Sequence, residues 1–102
     1  MAVWPGSISA ITLFVDDLAA TRAFYLEVFG LPILFEDEDS AVFRFDNTMI
    51  NLLKSSAAVS LIDPATVASP GSGSRLQLTL DVENVDATCA ELTARGVELL
   101  NG

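Results

Sequence analysis

Few residues in this chain could take part in acid–base or nucleophilic chemistry. The 102 residues include no histidine, which excludes a Ser–His pair, a Cys–His pair and imidazole metal ligands. The single cysteine, Cys89, falls on the apolar side of a predicted helix. That position is typical of a small core residue, and one cysteine cannot form an intramolecular disulfide.

Carboxylates cluster in one run, from Glu36 to Asp39. Four consecutive acidic residues suggest calcium binding, but the run lacks the spacing and the glycine of a calcium loop. A solvated hairpin tip is the better interpretation. The GSG at residues 71–73 precedes a predicted strand rather than a helix, so it does not indicate a phosphate-binding loop.

Two predicted strands carry polar groups on one face. In residues 8–15, the aliphatic face should pack against helices, whereas the face with Ala10, Thr12 and Phe14 is typical of a cavity wall. Residues 75–82 alternate in the same way. Their predicted core face consists of Leu76, Leu78, Leu80 and Val82, and their other face of Arg75, Gln77, Thr79 and Asp81.

Length and charge narrow the class of protein. A chain of 102 residues with 51% apolar residues predicts one folded domain. The net charge of −9, with only five basic residues, disfavours nucleic acid and anionic membrane surfaces as partners. No apolar run approaches the ~20 residues needed to span a bilayer, and we expect a cytoplasmic protein.

A strand–helix–strand unit organises residues 15–33. Asp16 or Asp17 can cap the helix, an apolar stripe follows at helical spacing, and Gly30 supplies a left-handed stop. The stripe consists of Leu18, Thr21, Tyr25 and Val28, with Phe24 and Phe29 beside them. The same pattern recurs about 67 residues later, with Asn84 as the cap and Gly96 as the stop. We interpret the recurrence as an internal duplication.

The remaining segments complete the organisation of the chain. Strands are predicted at residues 32–36, 41–45 and 49–54, which with the first strand and helix make a βαβββ module over residues 8–54. Residues 55–74 are rich in Ser, Ala, Pro and Gly and are predicted to be a linker, with a short helical turn behind Asp63-Pro64. Residues 75–102 form a partial second module that ends with a strand at 97–100.

This arrangement resembles the vicinal oxygen chelate superfamily, which contains glyoxalase I, bleomycin-resistance proteins and extradiol dioxygenases. The resemblance is carried by ISAITLFVDDLAATRAFYLEVFGLPILFE and by RLQLTLDVENVDATCAELTARGVEL. It implies a single α+β domain over residues 1–102, in which paired βαβββ modules form an open, curled mixed sheet around a cavity. The second module is truncated here.

The resemblance also locates the positions at which metal-dependent members use His and Glu ligands. They correspond to Ala10, Asn51 and Gln77, and the fourth ligand position has no counterpart in residues 1–102. Alanine has no donor atom, and the two amides are weak neutral oxygen donors. The resemblance therefore implies no metal site and no cofactor.

The same positions still define a candidate ligand-binding cavity with a mostly apolar wall. The candidate residues are Ala10, Thr12, Phe14, Met49, Asn51, Leu53, Arg75, Gln77 and Thr79. Arg75 would either receive an anionic or carbonyl-bearing ligand or remain solvated. Asn51 and Gln77 would either bind the ligand or hydrogen-bond to each other. Phe14 and Phe43 could stack on an aromatic ligand, although buried phenylalanines are core residues by default.

The leading hypothesis is a metal-free small-molecule-binding protein that resembles the bleomycin-resistance branch and acts by sequestration. One alternative is a glyoxalase-like lyase or dioxygenase that recruits a divalent metal through other groups, with Asp81 or Glu98 as the nearby carboxylates. Another is a dimerisation module without a ligand. Because a half-built second module leaves an apolar edge to be covered, we expect a homodimer.

Overall fold

The computed structural model describes residues 3, 5–72 and 76–99. It divides into two compact units, Met1–Ala68 and Ser69–Gly102, and the division falls inside the predicted linker. No helix in the described part of the chain is long and apolar enough to cross a membrane.

The first unit is built on a four-stranded mixed sheet. Its elements are β1 (Ala10–Val15), α1 (Leu18–Phe24), a π-helical turn (Tyr25–Phe29), β2 (Ile33–Glu36), β3 (Ser40–Phe45), β4 (Thr48–Lys54) and α2 (Ser55–Ile62). The strand order is β1-β4-β3-β2. β1 runs parallel to β4, and the other neighbours are antiparallel. The sheet is open and the fold is α+β, which confirms the predicted class and the β-α-β-β-β order.

The caps of α1 are those expected from the sequence. The Asp17 carboxylate accepts a hydrogen bond from the Ala20 backbone N–H at 3.0 Å. At the other end, Gly30 has φ 63° and lies in the left-handed region, where glycine carries no steric penalty. The last turn before it is π-helical, and within it Tyr25 and Phe29 make an edge-on ring contact at 5.3 Å between centroids.

One face of the sheet carries the hydrophobic core. The core cluster consists of Leu18, Tyr25, Ala41, Phe43, Ile50 and Leu52. Ile11, Leu13 and Val15 of β1 pack against it, so the aliphatic face of β1 lies on the core side of the sheet, as predicted. Phe43 and Leu52 are completely buried. Because Phe43 is a core residue, the suggestion that it stacks on a ligand is wrong.

The predicted linker is helical at its start. α2 (Ser55–Ile62) follows β4 directly and contacts β4 and β1, and its Ala58 is fully buried. The small Ser and Ala side chains that suggested a linker instead let α2 pack closely against these two strands. The helix ends at Asp63, whose N–H bonds to the Val59 carbonyl. The predicted helical turn behind Asp63-Pro64 is therefore wrong, because the helix precedes that pair.

The second unit contains a short 3₁₀ turn at Pro70–Ser72 and one helix, α3 (Val85–Ala94). Asn84 caps α3 by accepting from the Ala87 N–H at 2.9 Å, and Gly96 ends it with φ 83°. Thr88 and Thr21 each donate to the carbonyl of their own cap residue at 2.9 Å. Equivalent positions of the repeat therefore make the same bonds, which supports the duplication.

The strands predicted in the second unit are not formed in its described residues. Residues 76–82 and 97–99 have no strand assignment, and the leucines predicted as a core face, Leu76, Leu78 and Leu80, are 55%, 38% and 49% exposed. A strand persists only beside a partner that takes up its N–H and C=O groups, and the described residues of this unit include none. α3 likewise has no buried residue, and Val85 is exposed.

Candidate functional site

The side chains that face away from the core define the candidate site. Along β4, Ile50 and Leu52 point into the core, so Met49, Asn51 and Leu53 lie on the opposite face. Residues directly paired across a sheet share a face, and the register extends this surface to β1 and β3. We call it the open face; it consists of Ala10, Thr12, Phe14, Ser40, Val42, Arg44, Met49, Asn51 and Leu53.

The strand register arranges the open face in three rows centred on β4. The rows are Ala10–Met49–Arg44, Thr12–Asn51–Val42 and Phe14–Leu53–Ser40. Successive rows are two residues apart along the strands, or roughly 7 Å. The guanidinium of Arg44 belongs to the row at one end of this surface, the amide of Asn51 to the central row and the ring of Phe14 to the row at the other end. The structure thus brings together all six predicted site residues of the first and fourth strands.

The open face includes residues that the sequence analysis did not select. Val42 and Arg44 flank the buried Phe43 in β3 and so project to the open side. Phe35 of β2 pairs with Val42 across a register shift and is 57% exposed, which adds a second ring beside the central row. The alternation of β3 predicts that Val42 and Arg44 share a face, but which face that is follows only once Phe43 is known to be buried.

Asn51 is the polar group at the centre of the open face. Its Nδ2 donates to the Thr12 hydroxyl oxygen at 3.5 Å, a long hydrogen bond. Its Oδ1 is buried and has no hydrogen-bond partner within the described part of the chain. Turning the amide over would pair Oδ1 with the Thr12 hydroxyl and leave Nδ2 alone, so one end of this amide lacks a partner in either orientation. A ligand with a matching polar group would remove that deficit.

A pocket of about 180 Å³ opens where the first row of the open face meets the β3–β4 turn. It is lined by Ser7, Ser9, Arg44, Asp46, Asn47, Thr48 and Met49. Arg44 and Met49 belong to both the pocket and the open face. Asp46 has φ 44°, which places the turn backbone in the left-handed region at the rim of this pocket. The lining residues of the pocket carry hydroxyl, amide, carboxylate and guanidinium groups beside one apolar side chain, that of Met49.

The predicted residues of the second module are not joined to the open face by the structure. Gln77 and Thr79 lie in the second unit, where both are exposed and neither belongs to a strand. Arg75 lies outside the described residues. Their participation in the site, and a hydrogen bond between Asn51 and Gln77, remain predictions.

The acidic run forms a hairpin tip, as expected. The Asp37 carboxylate accepts from the backbone N–H groups of Asp39 and Ser40, both at 2.8 Å, and from the Ser40 hydroxyl. The hydrogen bond from Asp39 and those from Ser40 lower the pKa of Asp37. Glu36 pairs with Arg22, and that hydrogen bond lowers the pKa of Glu36 and raises that of Arg22.

The residues at the family-type ligand positions do not fit a divalent metal. Ala10 has no donor atom, and Asn51 of the neighbouring strand directs its amide nitrogen at Thr12. Neutral amide oxygens alone are weak ligands for such an ion. Among the described residues, no group of three or more His, Cys, Asp or Glu side chains is placed to hold a metal.

A family model described as Glyoxalase/Bleomycin resistance protein/Dioxygenase superfamily matches residues 7–102. An uncharacterised protein of Bacillus subtilis, YraH, is 31% identical over 94 residues, which cover 89% of this chain and 73% of that protein.

Solved structures of similar fold cover nearly the whole chain. A glyoxalase/bleomycin resistance protein/dioxygenase from Nocardioides superposes with a TM-score of 0.84 at 20% identity, over 98% of this chain and 68% of that one. A lactoylglutathione lyase from Agrobacterium tumefaciens gives a TM-score of 0.69 at 21% identity, over 95% and 75% of the two chains. At these identities the likeness concerns the fold.

Proposed function

The chain belongs to the glyoxalase/bleomycin resistance protein/dioxygenase superfamily, and from that premise we propose that its open face binds a small organic molecule without a metal. On this proposal the protein acts by holding its ligand, as a sequestering protein does. The observation that carries the proposal is the half-paired amide of Asn51 at the centre of a face that also carries Phe14, Val42, Met49 and Leu53.

The physical support is the contrast between the two faces of one sheet. The core face is closed by helix and aromatic side chains, whereas Phe14 and Phe35 on the open side are 38% and 57% exposed. A largely apolar surface with a few polar groups is typical of a small-molecule site, and on the open face those groups are Thr12, Asn51 and Arg44. Burying an unpaired amide costs about 1–3 kcal/mol, and a bound ligand would recover part of that cost.

The catalytic alternative is a lyase or dioxygenase that uses a divalent metal. The donor set at Ala10 and Asn51 does not support it, and Asp81 and Glu98, the carboxylates considered for the purpose, are both exposed in the second unit. No observation in the described residues favours this reading over binding.

We further propose that two copies associate through the second unit. Its alternating apolar segment, residues 76–82, exposes Leu76, Leu78, Leu80 and Val82, and it has no strand partner among the described residues. A second copy would supply both apolar cover and hydrogen-bond partners. Light scattering after gel filtration tests this directly: Leu78→Asp and Leu80→Asp should convert a dimer to a monomer, and a wild-type monomer would refute it.

The binding proposal is tested by methyl NMR with a neutral fragment library. The chain has two methionines, so ¹³Cε-labelled protein gives a simple spectrum in which Met49 reports on the open face. Fragments with an aromatic ring and an amide or hydroxyl should shift the Met49 methyl saturably. Asn51→Leu should weaken these fragments, whereas Glu38→Gln, at the exposed hairpin tip and outside the pocket lining, should not. A library in which nothing moves Met49 would refute the proposal.

A further inference from the structure

We infer that the ligand of the open face carries a carboxylate, which binds Arg44 in the 180 Å³ pocket at the end of the first row. The inference rests on the proposed function, because it names the chemical class of the molecule that the open face takes. Its evidence is the state of Arg44, the groups around it and the charge of the chain.

Arg44 is available to a ligand. Among the described residues, the ion pairs join Arg22 to Glu36 and Arg95 to Glu91, and Arg44 takes part in neither. Arg44 is exposed, and it stands beside Met49 on the open face. A guanidinium presents a planar fork of N–H donors that matches a carboxylate in a bidentate geometry.

The neighbours of Arg44 favour one small anionic group. Ser7, Ser9 and Asn47 line the same pocket, and serine hydroxyl and asparagine amide groups can donate hydrogen bonds to a carboxylate oxygen. The pocket volume suits the end of a ligand rather than its whole body. The body would then extend along the open face towards the central row.

Charge selects a carboxylate over a phosphate. The chain has 14 acidic and five basic residues, and Asp46 lies in the lining of the same pocket. A phosphate group, with a charge near −2 at neutral pH, would meet one guanidinium and one opposing carboxylate. A carboxylate carries a single charge and needs only the single fork that Arg44 provides.

Distance along the sheet relates the carboxylate to the rest of the ligand. Arg44 and Asn51 belong to successive rows, whose spacing is roughly 7 Å. An aromatic ring one or two bonds from the carboxylate would therefore reach Val42 in the central row and Phe35 beside it. The structure thus favours a short aryl carboxylate as a test molecule.

The probes are phenylacetate and phenylacetamide, which share ring and length and differ in charge. Binding is followed by the Met49 ¹³Cε shift at pH 7 and low salt. We expect the full chain to bind phenylacetate about tenfold more tightly than phenylacetamide, a difference of one charge-assisted hydrogen-bonded pair. Arg44→Gln should remove the difference, and Arg44→Lys should retain part of it because the charge stays while the fork is lost.

Two further variants serve as controls. Arg22→Gln makes the same change of net charge on the helix side of the sheet, and it should leave the tenfold preference intact. Asp46→Asn should tighten phenylacetate and leave phenylacetamide unchanged, because it removes the opposing charge. Circular dichroism of each variant verifies the fold.

The outcomes separate this inference from the proposal beneath it. Equal affinity of the wild-type chain for the two probes, or loss of the preference in Arg22→Gln as well, overturns the carboxylate inference. If neutral fragments shift Met49 but phenylacetate does not, the inference also fails, while ligand binding at the open face stands. If no fragment of either charge shifts Met49, the proposed function itself is refuted.

Discussion

Replacing Asn51 by leucine should make the chain more stable and a poorer binder at the same time. Oδ1 of this residue is buried without a partner, and Nδ2 makes only the 3.5 Å contact with Thr12. A buried polar group without a partner costs about 1–3 kcal/mol. Leucine removes that cost and adds apolar contact with its neighbours, but it also gives up the weak hydrogen bond.

The net gain expected for Asn51→Leu is about 1 kcal/mol in the free energy of unfolding, smaller than the full cost because the weak bond is lost. For a domain of this size that corresponds to a rise in Tm of about 4–8 °C. Urea unfolding at pH 7, followed by far-ultraviolet circular dichroism, measures the free energy, and a thermal scan measures Tm.

Thr12→Val provides the matched comparison, because it leaves the amide of Asn51 with no hydrogen bond at all. It should destabilise the chain by about 0.5–1 kcal/mol. In the double variant the cost of Thr12→Val should largely disappear, because no amide is left to lose its hydrogen bond, so the coupling should be about 0.5–1 kcal/mol. If Asn51→Leu instead destabilises the chain by 1 kcal/mol or more, the Asn51 amide already has its hydrogen-bond partners in the ligand-free protein. The argument that it lacks a partner until a ligand binds would then be refuted.

Three other perturbations test the fold that positions the open face. Leu52→Ala removes a completely buried side chain and should cost about 2–5 kcal/mol in urea unfolding; a loss under 1 kcal/mol would show that the core is not packed as described. Gly30→Ala should cost about 1 kcal/mol, and Gly30→Asn less, because φ is 63° while a Cβ there meets no atom within 4 Å. The lowered pKa of Asp37 stabilises the fold above the unfolded-state pKa, and that contribution is lost as the pH falls through the folded-state pKa. Asp37→Asn should therefore be less stable than wild type at pH 7, and the difference should shrink as the pH falls through the acidic range; a difference that does not change with pH would contradict this cause.

The part of the fold that the sequence predicted well is set by local chemistry. Asp17 and Gly30 fix the ends of the first helix through one hydrogen bond and one backbone conformation. The alternation in β1 assigns its core face correctly, because every second residue from Ile11, namely Ile11, Leu13 and Val15, is aliphatic and packs against the core. In both cases the cause lies within a few residues of the effect.

The part that was missed depends on partners distant in the chain. Ser55–Ile62 has the composition of a linker, and it becomes a helix where Ala58 is fully buried. Leu76 and Leu78 alternate as strand residues do, but no neighbouring strand is present among the described residues to hold them. The sequence analysis did not select Arg44 for the same reason, because only the pairing register of β3 with β4 places it beside Met49.

The most direct test of metal-free binding at the open face is a titration of the Met49 ¹³Cε methyl with phenylacetate in excess EDTA. The same titration is then repeated after addition of nickel, zinc, manganese or iron, with the metal content per chain measured in each sample. The account predicts a saturable shift in EDTA, with the same affinity in every metal. A shift that appears only with one equivalent of bound metal would contradict it and would return the site to metal-dependent chemistry.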